Sequence, residues 1–267
     1  LVTAVALASL LSGCKKEEAA PPAQAPLVGV VTLQPQAFTL TSDLPGRTTA
    51  YRIAEVRPQV NGIILKRLFK EGADVKEGQQ LYQIDPSVYD ATLKSAQASL
   101  SQTKSISDRY KQLVDEQAVS RQEYDTAVAN RMTAEANVQT AQINVRYTKV
   151  FAPISGRIGR SSVTEGALVS NGQADALAVI QQLDPIYVDV TQSSAEMLKL
   201  RRDLESGQLE KAGANAAKVK LTLEDGSSYG LDGKLEFSEV SVDQTTGSVT
   251  LRAVFPNPDH TLLPGMF

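Results

Sequence analysis

The side chains able to do chemistry are few in this sequence. Among 267 residues there is one cysteine, Cys14, one histidine, His260, and no tryptophan. Neither a disulfide framework nor a zinc site with several His or Cys ligands can be assembled from them. Nucleophilic catalysis needs a base beside its nucleophile, and no Ser/His, Cys/His or phosphate-loop arrangement can be named, so no catalytic, metal or cofactor site is expected. His260, in NPDHTLL, is the one group whose ordinary titration falls near neutrality. It reads either as a solvated loop residue or as a pH-linked adjuster of the β segment around it. A net charge of −3 and a pI near 5.4 give no basic footprint for nucleic acid. What remains is the chemistry of contact, and the informative spacing lies elsewhere.

That spacing is a repeat. EGADVKEGQQ, residues 71–80, returns ninety-four positions later as EGALVSNGQA, residues 165–174. Gly62, Gly72 and Gly78 stand ten and six residues apart, as do Gly156, Gly166 and Gly172. VNGII (60–64) matches ISGRI (154–158), each following a proline, Pro58 or Pro153. Singly, each glycine reads as a turn-maker, because glycine takes φ > 0 at little steric cost. Jointly, with alternating apolar residues between them, they describe two halves of one small β-sandwich. The pattern resembles the two half-motifs of the biotinyl/lipoyl fold, whose tip carries a cofactor-bearing lysine. Here a long insert takes the place of that tip.

The insert is helical. Asp85 and Pro86 open it as an N-cap and a first-turn proline, and Ser87–Tyr147 holds neither glycine nor proline. Leu93, Ala96, Leu100, Thr103, Ser107, Tyr110 and Val114 follow 3-4 spacing, with the seam weakening at Thr103 and Ser107. Tyr124, Ala127, Arg131, Ala134, Val138, Ala141, Val145 and Thr148 repeat the rhythm, interrupted by Arg131. SRQE at 120–123 is a capping box, which places the turn near 115–119. Seven basic and seven acidic side chains balance over 86–148, so the outer faces, rich in Ala, Ser, Gln and Thr, suit packing against like neighbours and not against phosphates.

The flanks are also legible. LVTAVALASLLSGC, residues 1–14, is apolar and then small, the tail of a secretory signal and too short to span a bilayer. Cys14 reads as a free thiol behind a cleaved signal, or, because LSGC resembles the bacterial lipobox, as a lipid-bearing first residue; two or more acyl chains anchor stably. KKEEAAPPAQAP then suits a solvated tether. After the second half-motif, DPIYVDVTQ reads as a strand and SSAEMLKLRRDLESG as a helix with a second capping box, Ser193 to Glu196, ending at Gly207. VKLTLEDGSS, GKLEFSEVSVD and SVTLRAVFPNP alternate as in a small antiparallel barrel, which segment 37–54 should close. With no initial methionine and a strand pattern cut at LLPGMF, the chain reads as a piece missing both ends.

Taken together, the lipobox, tether, split halves and hairpin resemble the periplasmic adaptors, or membrane fusion proteins, of tripartite RND multidrug efflux pumps, of the AcrA/MexA type. LPGRTTAYRIAEVRPQVNGIILKRLFKEG, YTKVFAPISGRIGRSSVTEGALVSNGQ, QQLDPIYVDVTQSS and VFPNPDHTLLPGMF carry the likeness. The fold implied is mixed, elongated and multidomain, with an antiparallel coiled-coil hairpin inserted in a split lipoyl-like sandwich. A small antiparallel barrel and a partial membrane-proximal β domain complete it. The expected partition is 1–13 signal remnant; 14–27 lipidated tether; 28–36 membrane-proximal strand; 37–54 and 183–267 barrel; 55–85 and 149–182 lipoyl-like halves; 86–148 hairpin. The resemblance implies a non-enzymatic adaptor without cofactor, anchored by lipid at the periplasmic face of the inner membrane. Its implied partners are an inner-membrane RND transporter, a TolC/OprM-like outer-membrane channel and further copies of itself in a six-membered ring with lipoyl domains side by side. It also implies that Arg109, Leu113 and Ser120, in RYKQLVDEQAVS, meet the channel. Read without it, they are a solvated arginine, an end-of-seam apolar residue and an N-cap. The hairpin matches the family's shorter form. Other readings are an adaptor of a type I or ABC-type exporter and a biotinyl/lipoyl carrier, which would need a modified lysine on a tight turn.

Overall fold

The computed structural model describes residues 41–213, 216–237 and 242–267, together with Gly29. Contacts divide the chain into two units, Leu1–Ser42 and Asp43–Phe267, and every helix and strand described belongs to the second. The signal remnant, Cys14, the tether, residues 28 and 30–36 of the membrane-proximal strand and 37–40 of the barrel segment lie outside the described residues. The elements in order are β1 (Gly46–Val56), β2 (Gly62–Arg67), β3 (Asp74–Val75), β4 (Gln80–Ile84), α1 (Ser87–Asp115) and α2 (Arg121–Tyr147). There follow β5 (Lys149–Phe151), β6 (Gly156–Ile158), β7 (Leu168–Val169), β8 (Ala178–Ser193), α3 (Ser194–Glu205), β9 (Lys211–Gly213), β10 (Ala216–Val219), β11 (Gly233–Glu236) and β12 (Ser248–Phe255).

The two glycine-spaced segments interlock. The Gly72 N–H donates to the Ile158 carbonyl at 2.9 Å, and ninety-four residues on the Gly166 N–H donates to the Ile64 carbonyl at 2.8 Å. Side chains obey the same exchange: Glu71 Oε1 accepts from the Ser161 N–H and Glu165 Oε1 from the Arg67 N–H, both at 3.0 Å. Asn61 Oδ1 accepts from the Asn171 N–H at 2.7 Å and Ser155 Oγ from the Glu77 N–H at 2.9 Å. The glycines match too, with φ of 154° and 158° at Gly62 and Gly156, 75° and 87° at Gly72 and Gly166, and 78° and 73° at Gly78 and Gly172. Each half therefore completes the backbone hydrogen bonding of the other, which neither could satisfy alone. One sheet runs β5-β4-β2-β7, and β3 and β6 extend the larger sheet. Between them Ile64, Val75, Leu81, Tyr82, Ile84, Ile158, Val169, Leu177 and Ile180 form a closed apolar core, each such side chain contributing roughly 1.5–3 kcal/mol by leaving water. The Tyr82 hydroxyl donates to the Leu177 carbonyl at 3.0 Å and pairs with Ser161 Oγ at 2.7 Å, so its burial leaves no orphan.

The helical hairpin springs from this core between β4 and β5. Its base is tied by the Asp85 N–H to the Ile63 carbonyl (2.9 Å), the Ile84 N–H to the Thr148 carbonyl (2.7 Å) and the Tyr89 hydroxyl to the Asn61 carbonyl (2.7 Å). Asp85 Oδ1 accepts from the Ser87 N–H at 3.0 Å, with Pro86 already in helical geometry before Ser87. With 29 and 27 residues, the arms run about 40 Å at 1.5 Å per residue. Ala127, Ala134, Val138 and Ala141 are buried on α2. On α1 the expected weak point is reversed, because Ser107 is the one buried residue of that helix, 3 % exposed. A small side chain there suits close packing of the arms, and next to it Arg131 reaches across from α2 to Asp108 (3.8 Å) while pairing with Glu135 one turn along its own helix (2.9 Å).

Beyond the sandwich, β8, β12, β11, β10 and β9 continue as one antiparallel sheet, with β1 on the other side of β8. Ile186, Val188, Val190, Leu235, Leu251, Phe255 and Leu262 form a second core. DPIYVDVTQ proves to be only the latter part of a strand. β8 begins at Ala178, and both β8 and β1 pass from sandwich to barrel through an irregularity where Tyr51 and Leu183–Pro185 fall out of register. The segment expected to close the barrel therefore also belongs to the sandwich, with Ile53, Ala54, Glu55 and Val56 paired to Gln181, Ile180, Val179 and Ala178. On its free edge, Thr48 exchanges backbone bonds with Gly265 and Met266 (2.8 and 2.9 Å). Among the described residues no strand ladder joins β9 to β1. Buried Asn257 fastens the junction: its Nδ2 donates to the Leu183 and Leu262 carbonyls, and its Oδ1 accepts from the Leu262 N–H. His260 sits half-buried in the turn after it, at φ 52°.

Candidate functional site

The outer end of the hairpin gathers the residues that the sequence marks for contact. α1 stops at Asp115, and the chain reverses through 116–120 before α2. Its last carbonyls are satisfied locally: the Ala118 N–H donates to the Leu113 carbonyl (2.8 Å) and the Gln117 N–H to the Val114 carbonyl (3.1 Å), the paired bonds of a Schellman ending. Such an ending needs one left-handed residue, and here it is Gln117 at φ 57°. On the other side Ser120 is extended, its hydroxyl accepting from the Glu123 N–H at 3.2 Å while Glu123 Oε2 accepts from the Ser120 N–H at 2.8 Å. These bonds from Ser120, backbone first and hydroxyl second, hold the Glu123 carboxyl below its ordinary value of 4.5.

Arg109 and Leu113 lie four residues apart, on one face of the last turns of α1. Arg109 is exposed and, among the described residues, has no ion-pair partner; Leu113 is half-buried and Ser120 exposed. An exposed cation, a partly covered apolar side chain and a capping hydroxyl are thus carried at one end of the helical pair. Together they make a small surface of mixed polarity. Among the described residues no group of His, Cys, Asp and Glu could hold a metal, and no helix is long and apolar enough to cross a membrane.

The six glycines do structural work at the hairpin's other end. A Cβ on Gly62 would lie 2.7 Å from Ile84 Cγ2 and one on Gly156 2.5 Å from the Gln181 carbonyl oxygen, whereas Gly72, Gly78, Gly166 and Gly172 have open space and supply only left-handed turns. Two features escaped sequence reasoning. Gln117 carries no glycine signal for its backbone state, and Ile63 and Leu168, paired across β2 and β7 with 44 % and 76 % exposure, look in sequence like ordinary strand residues.

Comparison with known proteins bears on the whole of this arrangement. Residues 52–181 match the family model "RND MFP, barrel-sandwich hybrid domain" and residues 185–267 match "RND MFPs, beta-barrel domain". The chain is 79% identical over 267 residues to the antibiotic efflux pump periplasmic linker protein ArpA of Pseudomonas putida, covering all of this chain and 72% of that protein. It is 68% identical over 268 residues to the multidrug resistance protein MexA of Pseudomonas aeruginosa, covering 100% of this chain and 70% of that one. A crystal structure of a MacA–MexA chimera carrying the Pseudomonas aeruginosa MexA α-hairpin superposes with a TM-score of 0.66 at 31% identity, over 83% of this chain and 77% of the other. A split sandwich bearing a helical hairpin, continuous with an antiparallel barrel sheet and matched along its whole length by efflux linkers, places this chain in the family of RND membrane fusion proteins.

Proposed function

We propose that the chain is the periplasmic adaptor of an RND multidrug efflux pump, joining an inner-membrane RND transporter to a TolC/OprM-like outer-membrane channel. The observation that carries this is the 79% identity, over every residue of the chain, to a periplasmic linker of an antibiotic efflux pump. The role is mechanical, coupling transporter to channel by contact, and no chemistry of substrate conversion enters it. The hairpin tip is the channel-facing end, with Arg109, Leu113 and Ser120 as contacts, Ser120 serving as cap at the same time. Cys14 carries lipid and holds the protein at the periplasmic face of the inner membrane.

Self-association into a six-membered ring belongs to the same proposal. Supporting it, Ile63 and Leu168 stand exposed together with Leu65 on β2. The equivalent positions in the other half, Arg157 and Asp74, are polar. The fold does not require apolar residues at such positions, so their exposure on one half fits an interface between copies.

Leu113→Asp tests the tip. A charge buried there should weaken the contact by about 3 kcal/mol or more, over a hundredfold, so drug efflux from whole cells should collapse at normal protein levels. Undiminished efflux rejects the tip assignment. Cys14→Ala should release the mature protein into the soluble periplasmic extract, and retention in salt-washed membranes would argue against the lipid anchor.

A further inference from the structure

Two helices of this chain end in the same way. At α3 the Gln208 N–H donates to the Asp203 carbonyl (2.9 Å) and the Gly207 N–H to the Leu204 carbonyl (3.3 Å), with Gly207 at φ 80°. At α1 the Ala118 N–H donates to Leu113 and the Gln117 N–H to Val114, at 2.8 and 3.1 Å, with Gln117 at φ 57°. The motif, its bonds and the left-handed residue are shared, and only the side chain differs. Glycine is the usual occupant because any Cβ strains the left-handed state, and asparagine is the common exception. Glutamine is neither.

Among the described residues nothing repays that strain. Gln117 is exposed, and among the described residues its carboxamide makes no hydrogen bond. The turn's own bonds run through the backbone and would be kept by glycine. Backbone strain retained at an exposed position points to a use for the side chain outside the fold. That position lies between Leu113 and Ser120 at the hairpin tip.

Resting on the reading of that tip as channel-facing, we propose that Gln117 is a specificity-determining contact, its carboxamide pairing with an uncharged peptide or carboxamide group on the channel. A primary amide presents a donor and an acceptor side by side, which another amide can match at both atoms at once, whereas a lone cation or a lone carboxylate engages only one of them. Being neutral, it adds little to long-range attraction. A channel lacking the complement would leave its polar atoms unpaired on docking, so the amide discriminates between channels.

The test compares Gln117→Gly, Gln117→Glu and Leu113→Asp with the parent, each as the full-length protein in cells lacking their own adaptor but holding the transporter and a TolC/OprM-like channel. Channel capture is read by crosslinking in cells and recovery of the adaptor. Gln117→Gly should lower capture by about fivefold, the loss of one neutral hydrogen bond, while its thermal midpoint equals or exceeds the parent's. Gln117→Glu, which keeps the length but removes the donor, should lose capture similarly. Full capture by either variant overturns the proposal, as does a lower midpoint for the glycine variant, which would mean that the side chain serves the fold. If Leu113→Asp abolishes capture while the Gln117 variants do not, the tip reading survives without this contact. If Leu113→Asp captures normally, the tip reading itself falls.

Discussion

Gly62 and Gly156 hold backbone angles that L side chains rarely adopt, and each faces a neighbour too close for a methyl group. At Gly156 that neighbour is the Gln181 carbonyl, part of the main chain of β8, which cannot swing aside as a side-chain end can. Gly156→Ala should therefore cost about 2–4 kcal/mol through clash and strain together, measured by denaturant unfolding. Gly72→Ala, with open space at the same kind of turn, should cost only about 1 kcal/mol from its left-handed angle. The six positions were legible as turn glycines from spacing alone. Their division into two that are sterically closed and four that are merely bent was not, because proximity of Ile84 and Gln181 follows from how the halves meet and leaves no mark at the glycines.

At the scale of elements, the hairpin was the most readable part. Its seam residues are the less exposed ones along both arms, since helical periodicity converts directly into which side chains face the partner helix. The end of α1 was not signalled, because the residue that turns it is a glutamine, and the turn could be placed only from the capping box beyond it. That box makes the tip sensitive to acid. The Glu123 carboxyl titrates lower in the folded hairpin than its ordinary 4.5, so its contribution is complete above that value and disappears as pH falls through the lowered one. The thermal midpoint should consequently drop on acidification below about 4.5, and Ser120→Ala, which should cost about 1 kcal/mol at neutral pH, should flatten this part of the profile. An unchanged profile in the alanine variant would show that the box contributes nothing.

Across the molecule, β1 and β8 matter most, since each lends one end to the sandwich and the other to the barrel. Pro185 conceals this in sequence: a proline commonly begins a strand or sits at a bulge, so DPIYVDV reads as a start when it is a midpoint. The exposed Ile63–Leu168 pair is a feature of the assembled sheet and equally invisible beforehand. Leu168→Lys should leave the unfolding free energy within about 0.5 kcal/mol of the parent, as for an exposed position, yet weaken association between copies, readable by analytical ultracentrifugation or crosslinking in cells. Undisturbed association would count against an interface between copies at this pair. The reciprocal glutamates, Glu71 reaching Ser161 and Glu165 reaching Arg67, carry one more implication. Each piece of the sandwich is the other's missing mate, so a protease nick at 116–119 should leave two polypeptides that stay clasped, and two separately expressed pieces should find each other and rebuild the native form.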